Sequence, residues 1–483
     1  MNRIAGLGTV MAIEDFIDNL ADRILGYVKK GDDKSNKTLD FMTSESRFKT
    51  TDLKLPLQGL GPQSVMDDID EFLKQCVKTN QGGFMNPLWG GLNITAFAGE
   101  VISALTNQSM YTYELAPLAT LIEQTIIRRM SELIGFSEGV GTMTTGGSNG
   151  NMLGMLCARQ SLLPMSSKVG FNGSKYVAFV SSESHYSVLM SANVVGIGHQ
   201  NVIKVACDEK GRMKASSLQE EIVRSRENGL IPFCIIATSG TTVRGAFDPI
   251  DEIAEIAHSE SIWLHVDAAW GGSCLFSSSK RYLMKGVELA DSVCWDAHKM
   301  MGMPLICSAF IVKNEVVLRS VCSHGDIAHY LFHDETKDID LGRFSLQCGR
   351  RNDSLKLWLA WREIGDSGWA KMVEHYCDLA DYLEEKVILE PNLEMCSDRE
   401  WTNVCFRYND ESRTDDLNQL NIEIRNRLLK EGEIIVSRSN IGEKTVLRPV
   451  ISNPAVDKEI IELLIEKVKS HAMEIISGIP SYN

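Results

Sequence analysis

The chain of 483 residues is 44% hydrophobic and 23% charged, a balance typical of a soluble globular protein with a large core. Its 64 acidic and 49 basic residues give a formal charge of −15, which disfavours nucleic acids and anionic membranes as partners. No apolar run approaches the roughly 18 residues of a membrane span. The twelve cysteines are scattered, without a CxxC pair or the His/Cys spacing of a zinc site, so we expect reduced thiols in a cytoplasmic protein and no bound metal.

The first part of the chain is predicted to be mainly helical. Residues 10–30 and 64–79 have helical patterns, and the polar stretch 31–62 between them is typical of a linker. Residues 115–135 carry apolar side chains at a spacing of three to four, which predicts an amphipathic helix that ends at Gly135.

From about residue 140, short apolar runs recur, and helix-like segments lie between several of them. This alternation predicts a mainly parallel sheet covered by helices. The runs are YVAFV (176–180), FCIIAT (233–238), IWLHVD (262–267), SVCW (292–295) and SAFIV (308–312). Ligands of such sheets bind outside the carboxyl ends of the strands, so the residues after each run are candidates for a site. After about residue 365 the pattern indicates a separate α+β unit, which closes with a helix over 457–476.

Three residues at the ends of these runs could take part in chemistry, although each also has an ordinary explanation. Asp267 ends a strand, where a buried carboxylate needs a cationic partner such as a protonated pyridine nitrogen; alternatively, it caps the next turn. Lys299 follows a strand, where burial would supply the neutral amine of a Schiff base; alternatively, it is a surface lysine. His185 could stack on a ring or be a core histidine with satisfied hydrogen bonds.

The segment TTGGSNGNMLGMLCAR (144–159) precedes this sheet. Its glycines allow a tight turn, after which Ser148, Asn149 and Asn151 open a helix whose free N–H groups could seat a phosphate. The segment is neither GxGxxG nor a P-loop, and by itself it favours a plain turn. Together, however, a phosphate seat, a histidine, a strand-end acid and a strand-end lysine in this order describe a pocket for pyridoxal 5′-phosphate (PLP).

Residues 64–470 resemble the group II PLP-dependent amino-acid decarboxylases, especially the glutamate and cysteine-sulfinate branch. The most specific motifs are GLNITAFAGE (91–100), YTYELAP (111–117), ATSGTTVRGAFDPI (237–250), HVDAAWGGS (265–273), HKMMGMPLICSA (298–309), QCGRRNDSLKLWLAW (347–361) and VISNPA (450–455). The resemblance implies an α/β protein of fold type I, the aspartate-aminotransferase-like PLP-dependent transferases, with a mainly parallel sheet of seven strands. It divides the chain into an N-terminal helical segment (1–90), a large PLP-binding domain (91–365) and a small C-terminal α+β domain (366–483). It also implies a homodimer with active sites at the interface.

The resemblance further implies roles for individual residues. Lys299 would carry PLP as a Schiff base, and His298 beside it would help to bind the phosphate. Asp267 would pair with the pyridinium nitrogen, while Ala269 and His185 would pack on opposite faces of the ring. Lys299 and His185 are thus the expected catalytic residues. The remaining assignments place Ser148 and Asn149 at the phosphate, Thr238 near the polar edge of the ring, and Arg350 at the substrate carboxylate.

One departure from the family concerns the fate of the reaction. The interval HDETKDIDLGRFSLQ (333–347) contains no tyrosine, whereas family members carry a loop tyrosine that returns a proton to Cα. Tyr330 and His333 are nearby candidates to replace it. The expected reaction is α-decarboxylation of a small amino acid; the alternatives are decarboxylation-dependent oxidative deamination or another PLP lyase reaction. A non-catalytic PLP-binding protein is less favoured, because the cofactor residues are intact.

A second departure lies in the expected substrate segment FMNPLWGGLN (84–93), which includes Asn86 and Trp89. Trp89 stands where glutamate-specific relatives have a small hydroxylated residue and cysteine-sulfinate enzymes have an aromatic one. Its indole fills space that a longer side chain needs, which favours aspartate or cysteine sulfinate over glutamate; alternatively, it is a packed wall without influence on the substrate. The change from the usual Asn to Asp296 in WDAHK is expected to be structural.

Overall fold

The computed structural model describes residues 11–31, 33–323, 332, 339–410 and 416–478. In these ranges the α-helices are α1 (Ile13–Gly31), α2 (Ser44–Thr50), α3 (Pro62–Gln75), α4 (Ile94–Thr106), α5 (Pro117–Ile134), α6 (Gly147–Leu162), α7 (Ser166–Val169), α8 (Ser187–Val195), α9 (Ala215–Glu227), α10 (Ile250–Glu260), α11 (Glu315–Val321), α12 (Ser354–Leu389), α13 (Leu417–Glu431) and α14 (Lys458–Ile476). The strands are β1 (Phe84–Met85), β2 (Val140–Thr144), β3 (Tyr176–Ser181), β4 (Val202–Val205), β5 (Ile231–Thr238), β6 (Trp263–Asp267), β7 (Ser292–Asp296), β8 (Ser308–Val312), β9 (Leu393–Met395), β10 (Phe406–Tyr408), β11 (Ile435–Ile441) and β12 (Lys444–Arg448).

Within the described residues, seven strands form the central sheet in the order β2-β8-β7-β6-β5-β3-β4. Neighbours are parallel except at β8, which runs antiparallel to both β2 and β7. Along β5, Cys234 and Ile236 belong to one buried cluster and Ile235 and Ala237 to the other, as side-chain alternation on a strand requires. The sheet is therefore buried on both faces, which explains its continuous apolar runs. The predicted mainly parallel α/β fold is confirmed.

Helix α6 begins directly after β2 and contacts β5, β6, β7 and β8. Gly154 makes this close packing possible, because a Cβ at that position would lie 2.6 Å from the ring of His265 on β6. The packing places the N-terminus of α6, at Gly147, beside the carboxyl ends of the sheet strands.

A second sheet, with five strands in the described ranges, has the order β1-β11-β12-β10-β9. Its strand β1 comes from the predicted N-terminal segment and pairs in parallel with β11. Helix α12 crosses the predicted domain boundary, and its backbone is non-helical at Gly365, with φ 64° and ψ −177°. The boundary expected at residue 365 thus falls on a kink inside one long helix, and the three-part division stays a prediction.

Local capping explains where several helices begin and end. Helix α2 lies within the predicted linker, and the Thr43 side chain caps it by accepting a hydrogen bond from Ser46 N. Helix α5 ends at Gly135, whose φ of 97° suits glycine, as predicted.

All twelve cysteines lie within the described ranges and are free thiols. Among the described residues, no helix is long and apolar enough to cross a membrane.

Candidate active site

The carboxyl ends of β5, β6 and β7 border a cavity of about 370 Å³. Thr238 ends β5, Asp267 ends β6, and Lys299 follows β7 after a short turn. This is the edge at which ligands bind in a parallel sheet. Of the residues predicted from the sequence, the cavity is lined by Trp89, Ser148, His185, Thr238, Asp267, Ala269, His298 and Lys299.

Asp267 is held by hydrogen-bond donors on both carboxylate oxygens. Asn151 Nδ2 donates to Oδ2 at 2.8 Å, and Ala269 N donates to Oδ1 at 3.1 Å. The side chain is 5% exposed. A carboxylate with only donors around it is arranged as an anion, and it suits a cationic ring nitrogen in the cavity.

A chain of buried hydrogen bonds fixes Asn151. Trp263 Nε1 donates to Ser292 Oγ at 3.0 Å, so the Ser292 hydroxyl is free to donate to His265 Nδ1 at 2.9 Å. His265 Nε2 then donates to Asn151 Oδ1 at 3.0 Å. Burial lowers the pKa of His265 to about 4, although Asp267 opposes the shift, and the imidazole is neutral. His265 was not predicted from the sequence, where its signal is an inward position two residues before Asp267.

His185 is half-buried and connected to the same network. Its Nδ1 lies 2.9 Å from Ser187 Oγ, which itself accepts a hydrogen bond from Asn151 Nδ2 at 2.9 Å. The Ser187 hydroxyl therefore donates to His185 Nδ1, and a neutral His185 carries its proton on Nε2. Burial lowers the pKa of His185 despite the neighbouring Asp267, which favours this neutral form.

Lys299 lies in an ionic cluster at the end of β7. Its Nζ is 3.1 Å from Asp296 Oδ2, and His298 Nε2 is 3.6 Å from the same oxygen. Burial lowers the pKa of Lys299, but Asp296 and Asp267 more than offset that effect, and the net pKa is raised. His298 Nδ1 donates to the carbonyl of Cys307 at 2.8 Å, and burial lowers the pKa of this imidazole.

The N-terminus of α6 forms one wall of the cavity. The backbone N–H groups of Gly147 and Ser148 have no acceptor among the described residues. A Cβ on Gly147 would lie 2.8 Å from Asp296 Oδ2 and 2.9 Å from Ala269 Cβ, so only glycine fits there. Ser148 lines the cavity, whereas Asn149, the other predicted phosphate residue, does not.

Two predicted substrate residues, Arg350 and Asn86, also lie outside the cavity wall. Arg350 is 6% exposed, and its two Nη atoms lie 2.7 and 2.8 Å from the carboxylate of Glu123 on α5. Glu123 also accepts a hydrogen bond from Met143 N on β2 at 3.1 Å. The guanidinium is therefore engaged in joining α5, β2 and the segment before α12. Tyr330 and His333 lie outside the described residues.

Arg448, at the end of β12, lines the cavity instead. Its Nε donates to Ser437 Oγ at 2.9 Å and its Nη1 donates to the carbonyl of Thr242. Its Nη2 has no partner in the described part of the chain, which leaves a donor for an anion. Arg448 was not predicted from the sequence, although it lies two residues before the motif VISNPA (450–455).

Comparison with known proteins identifies the family. Residues 45–409 match the family model described as the pyridoxal-dependent decarboxylase conserved domain. The chain belongs to this decarboxylase family. A crystal structure of mouse CSAD is 32% identical with a TM-score of 0.92, covering 95% of this chain and 98% of that one. The glutamate decarboxylase domain of diaminobutyrate-pyruvate transaminase and L-2,4-diaminobutyrate decarboxylase from Vibrio parahaemolyticus is 26% identical, with a TM-score of 0.84 and coverage of 97% and 98%.

The decarboxylase also has the fold of Oryza sativa TDC, solved with PLP and tryptamine, at 22% identity and a TM-score of 0.89 over 97% of this chain and 100% of that one. The protein is thus a carboxy-lyase of fold type I, and PLP is its cofactor.

The cavity of this protein also fits PLP by its own geometry. Thr238 Oγ1 is buried without a hydrogen-bond partner among the described residues. The carboxylate of Asp267 is positioned to pair with a cationic group in the cavity. The free N–H groups at Gly147 and Ser148 suit a phosphate.

Proposed function

We propose that this decarboxylase removes the α-carboxylate of a small acidic L-amino acid, aspartate or cysteine sulfinate in preference to glutamate. The observation that carries the proposal is that Arg448, with one free donor, lines the same cavity as Lys299 and Trp89. An arginine there suits an acidic side chain, and the indole leaves less room for a longer one.

Different residues of the cavity would bind different parts of PLP. Lys299 would bond to the aldehyde carbon, and Asp267 would keep the ring nitrogen protonated. Ser148 and the N-terminus of α6 would receive the phosphate, together with His298, while His185 and Ala269 would pack against the ring. When bound, PLP supplies the electron sink that accepts the electron pair of the broken Cα–carboxylate bond.

Arg448, rather than Arg350, is the proposed partner of the substrate. The α-carboxylate loses its charge as it leaves, so a strong ion pair to it would stabilise the ground state more than the transition state. The acid group of the side chain keeps its charge throughout, and pairing it with Arg448 orients the substrate without opposing the reaction. Arg350 is already paired with Glu123.

A pair of variants distinguishes a role of Arg448 in substrate binding from a general loss of structure. Arg448→Lys should raise KM for aspartate and cysteine sulfinate by roughly one to two orders of magnitude with kcat close to unchanged, because a uniformly bound group is weakened. Arg438→Lys, on the exposed face of the adjacent strand β11, is the matched control and should behave as wild type. Equal KM values for both variants would refute the role of Arg448.

A second outcome, decarboxylation-dependent oxidative deamination, is favoured by one sequence observation, the lack of tyrosine in residues 333–347. Aerobic turnover of the PLP-loaded enzyme with aspartate, cysteine sulfinate and glutamate distinguishes the two reactions. Amine equal to CO₂ without peroxide supports simple decarboxylation. Aldehyde, ammonia and peroxide together support the oxidative reaction.

We also propose that the enzyme is a homodimer. Seven apolar side chains between residues 94 and 121 are exposed, with Leu105 at 76% and Leu118 at 69%. The seven are Ile94, Val101, Ile102, Leu105, Leu115, Leu118 and Leu121. Exposed apolar side chains concentrated in one stretch of the chain are typical of an interaction surface, and a second copy of the chain is the proposed occupant. Light scattering should give a molar mass twice that of one chain. Leu105→Glu should reduce this mass, whereas Leu389→Glu, which changes an exposed leucine on α12, should leave it unchanged.

A further inference from the structure

Asp296 is a second buried carboxylate in the cavity, in addition to Asp267. It ends β7, is 2% exposed, and its Oδ2 lies 3.1 Å from Lys299 Nζ. Its Oδ1 is buried without a hydrogen-bond partner among the described residues. The pairing of Asp267 with the ring nitrogen leaves Asp296 without a role in holding PLP, so its presence beside the reactive amine needs an explanation.

Asp296 also lies against the proposed phosphate seat. A Cβ on Gly147, the first residue of α6, would be 2.8 Å from Asp296 Oδ2. The N-terminus of α6 attracts anions, and the carboxylate of Asp296 already supplies one. A phosphate that enters this seat meets a like charge in a site that water screens poorly, which weakens its binding.

The same carboxylate affects the amine that must react with PLP. Only a neutral amine attacks an aldehyde, whereas Asp296 and Asp267 stabilise Lys299 as an ammonium and raise its pKa against the effect of burial. On loading, the ammonium loses a proton to solvent, Nζ adds to the aldehyde carbon, and the C=N bond forms as one water leaves. The ion pair with Asp296 opposes the first of these events.

We propose that Asp296 sets the affinity of this decarboxylase for PLP and keeps it low, so that forms with and without the cofactor exchange. The two effects act in the same direction, one on the phosphate and one on Lys299. The enzyme would then respond to the concentration of free PLP instead of holding the cofactor permanently. This inference rests on the proposed role of Lys299 as the residue that bonds to PLP.

The test compares PLP binding to the wild-type chain and to Asp296→Asn, each freed of cofactor. Titration with PLP, followed by the visible absorbance of the Schiff base, gives the dissociation constant and the loading rate. At neutral pH, D296N should bind PLP about tenfold more tightly and load faster, as a one-unit fall in the pKa of Lys299 would produce. An unchanged or weaker affinity in D296N would overturn the inference.

Two controls make this result specific. Asp291→Asn changes a half-buried carboxylate that accepts a hydrogen bond from Leu264 N at the opposite edge of the sheet, and it should leave PLP binding unchanged. Asp296→Ser provides a second variant without the charge and should also bind PLP more tightly. Circular dichroism confirms that each variant is folded before its affinity is compared.

A further variant separates this inference from the proposed function. Lys299→Ala should lose the visible absorbance of the Schiff base while still binding pyridoxamine 5′-phosphate, which has no aldehyde. If K299A keeps that absorbance, the assignment of Lys299 fails. If K299A loses it and D296N binds PLP as wild type does, only the role of Asp296 fails. Calorimetry with pyridoxamine 5′-phosphate should also show tighter binding to D296N, because the phosphate then meets no carboxylate.

Discussion

Asn151 Nδ2 donates a hydrogen bond to Asp267 Oδ2 at 2.8 Å, which links the second turn of α6 to the end of β6. The same side chain accepts from His265 Nε2 and donates to Ser187 Oγ, and Ser187 orients His185. One buried amide thus positions both the acid and the histidine of the proposed PLP site. Asn151 is therefore a positioning residue.

Asn151→Ala should reduce kcat with little change in KM, because Asp267 and His185 lose their shared support. The free energy of unfolding of the cofactor-free chain should fall by about 1–3 kcal/mol, the penalty for buried polar groups left without partners. Steady-state kinetics and urea unfolding measure the two effects. Asn149→Ala, two residues away and outside the cavity wall, is the control. If N151A has normal kcat, Asn151 has no positioning role.

The lowered pKa of His265 predicts how the free energy of unfolding depends on pH. Its folded pKa of about 4 lies below the ordinary value of 6.5, so the unfolded chain binds more protons between these pH values. The stability that neutral His265 contributes is fully present above pH 6.5 and decreases as the pH falls, by about 3 kcal/mol at pH 4. Urea unfolding of the cofactor-free chain between pH 6.5 and 4 should show that the free energy of unfolding falls less steeply in His265→Gln than in the wild type. An identical dependence of this free energy on pH in the two chains would contradict the prediction.

Much of the fold and of the cavity lining could be predicted from the sequence, because local signals specify them. Apolar runs predicted the strands, and parallel strands bring their carboxyl ends to one edge, which is why Asp267 and Lys299 were candidates, whereas the resemblance indicated Thr238. The glycine-rich turn at 144–159 likewise predicted the start of α6. Position relative to a strand or helix made these residues candidates, and the resemblance to the decarboxylases then implied their roles.

The arginine that lines the cavity could not be predicted in this way, because its position depends on contacts between distant parts of the chain. Arg350 is paired with Glu123, 227 residues away, and no local pattern identifies that partner. Arg448 reaches the cavity only because β12 pairs with β11, which in turn pairs with β1. The resemblance drew attention to Arg350 through its motif, whereas three-dimensional pairing decides which arginine is available to a ligand.

The buried pair of Arg350 and Glu123 leads to a prediction about stability. Arg350→Ala should lower the free energy of unfolding by about 3–5 kcal/mol, because Glu123 would remain as an uncompensated buried charge. Soluble, folded R350A should keep a nearly normal KM for the substrate. Urea unfolding and steady-state kinetics test both statements. The double variant Arg350→Met with Glu123→Leu should recover part of the lost stability. A large rise in KM for R350A, without a loss of stability, would instead assign Arg350 to the substrate.

Trp89 provides the most direct test of substrate size. Its indole lines the cavity, and its ring centroid lies 5.4 Å from that of Phe84. Trp89→Ser should open space and raise the ratio of kcat/KM for glutamate to that for aspartate by about tenfold or more, the scale of discrimination for one methylene. Trp89→Phe keeps an aromatic wall and should change the ratio little. If neither variant changes it, Trp89 is a packed wall without influence on substrate choice, and the preference for a short acidic substrate would have to come from Arg448.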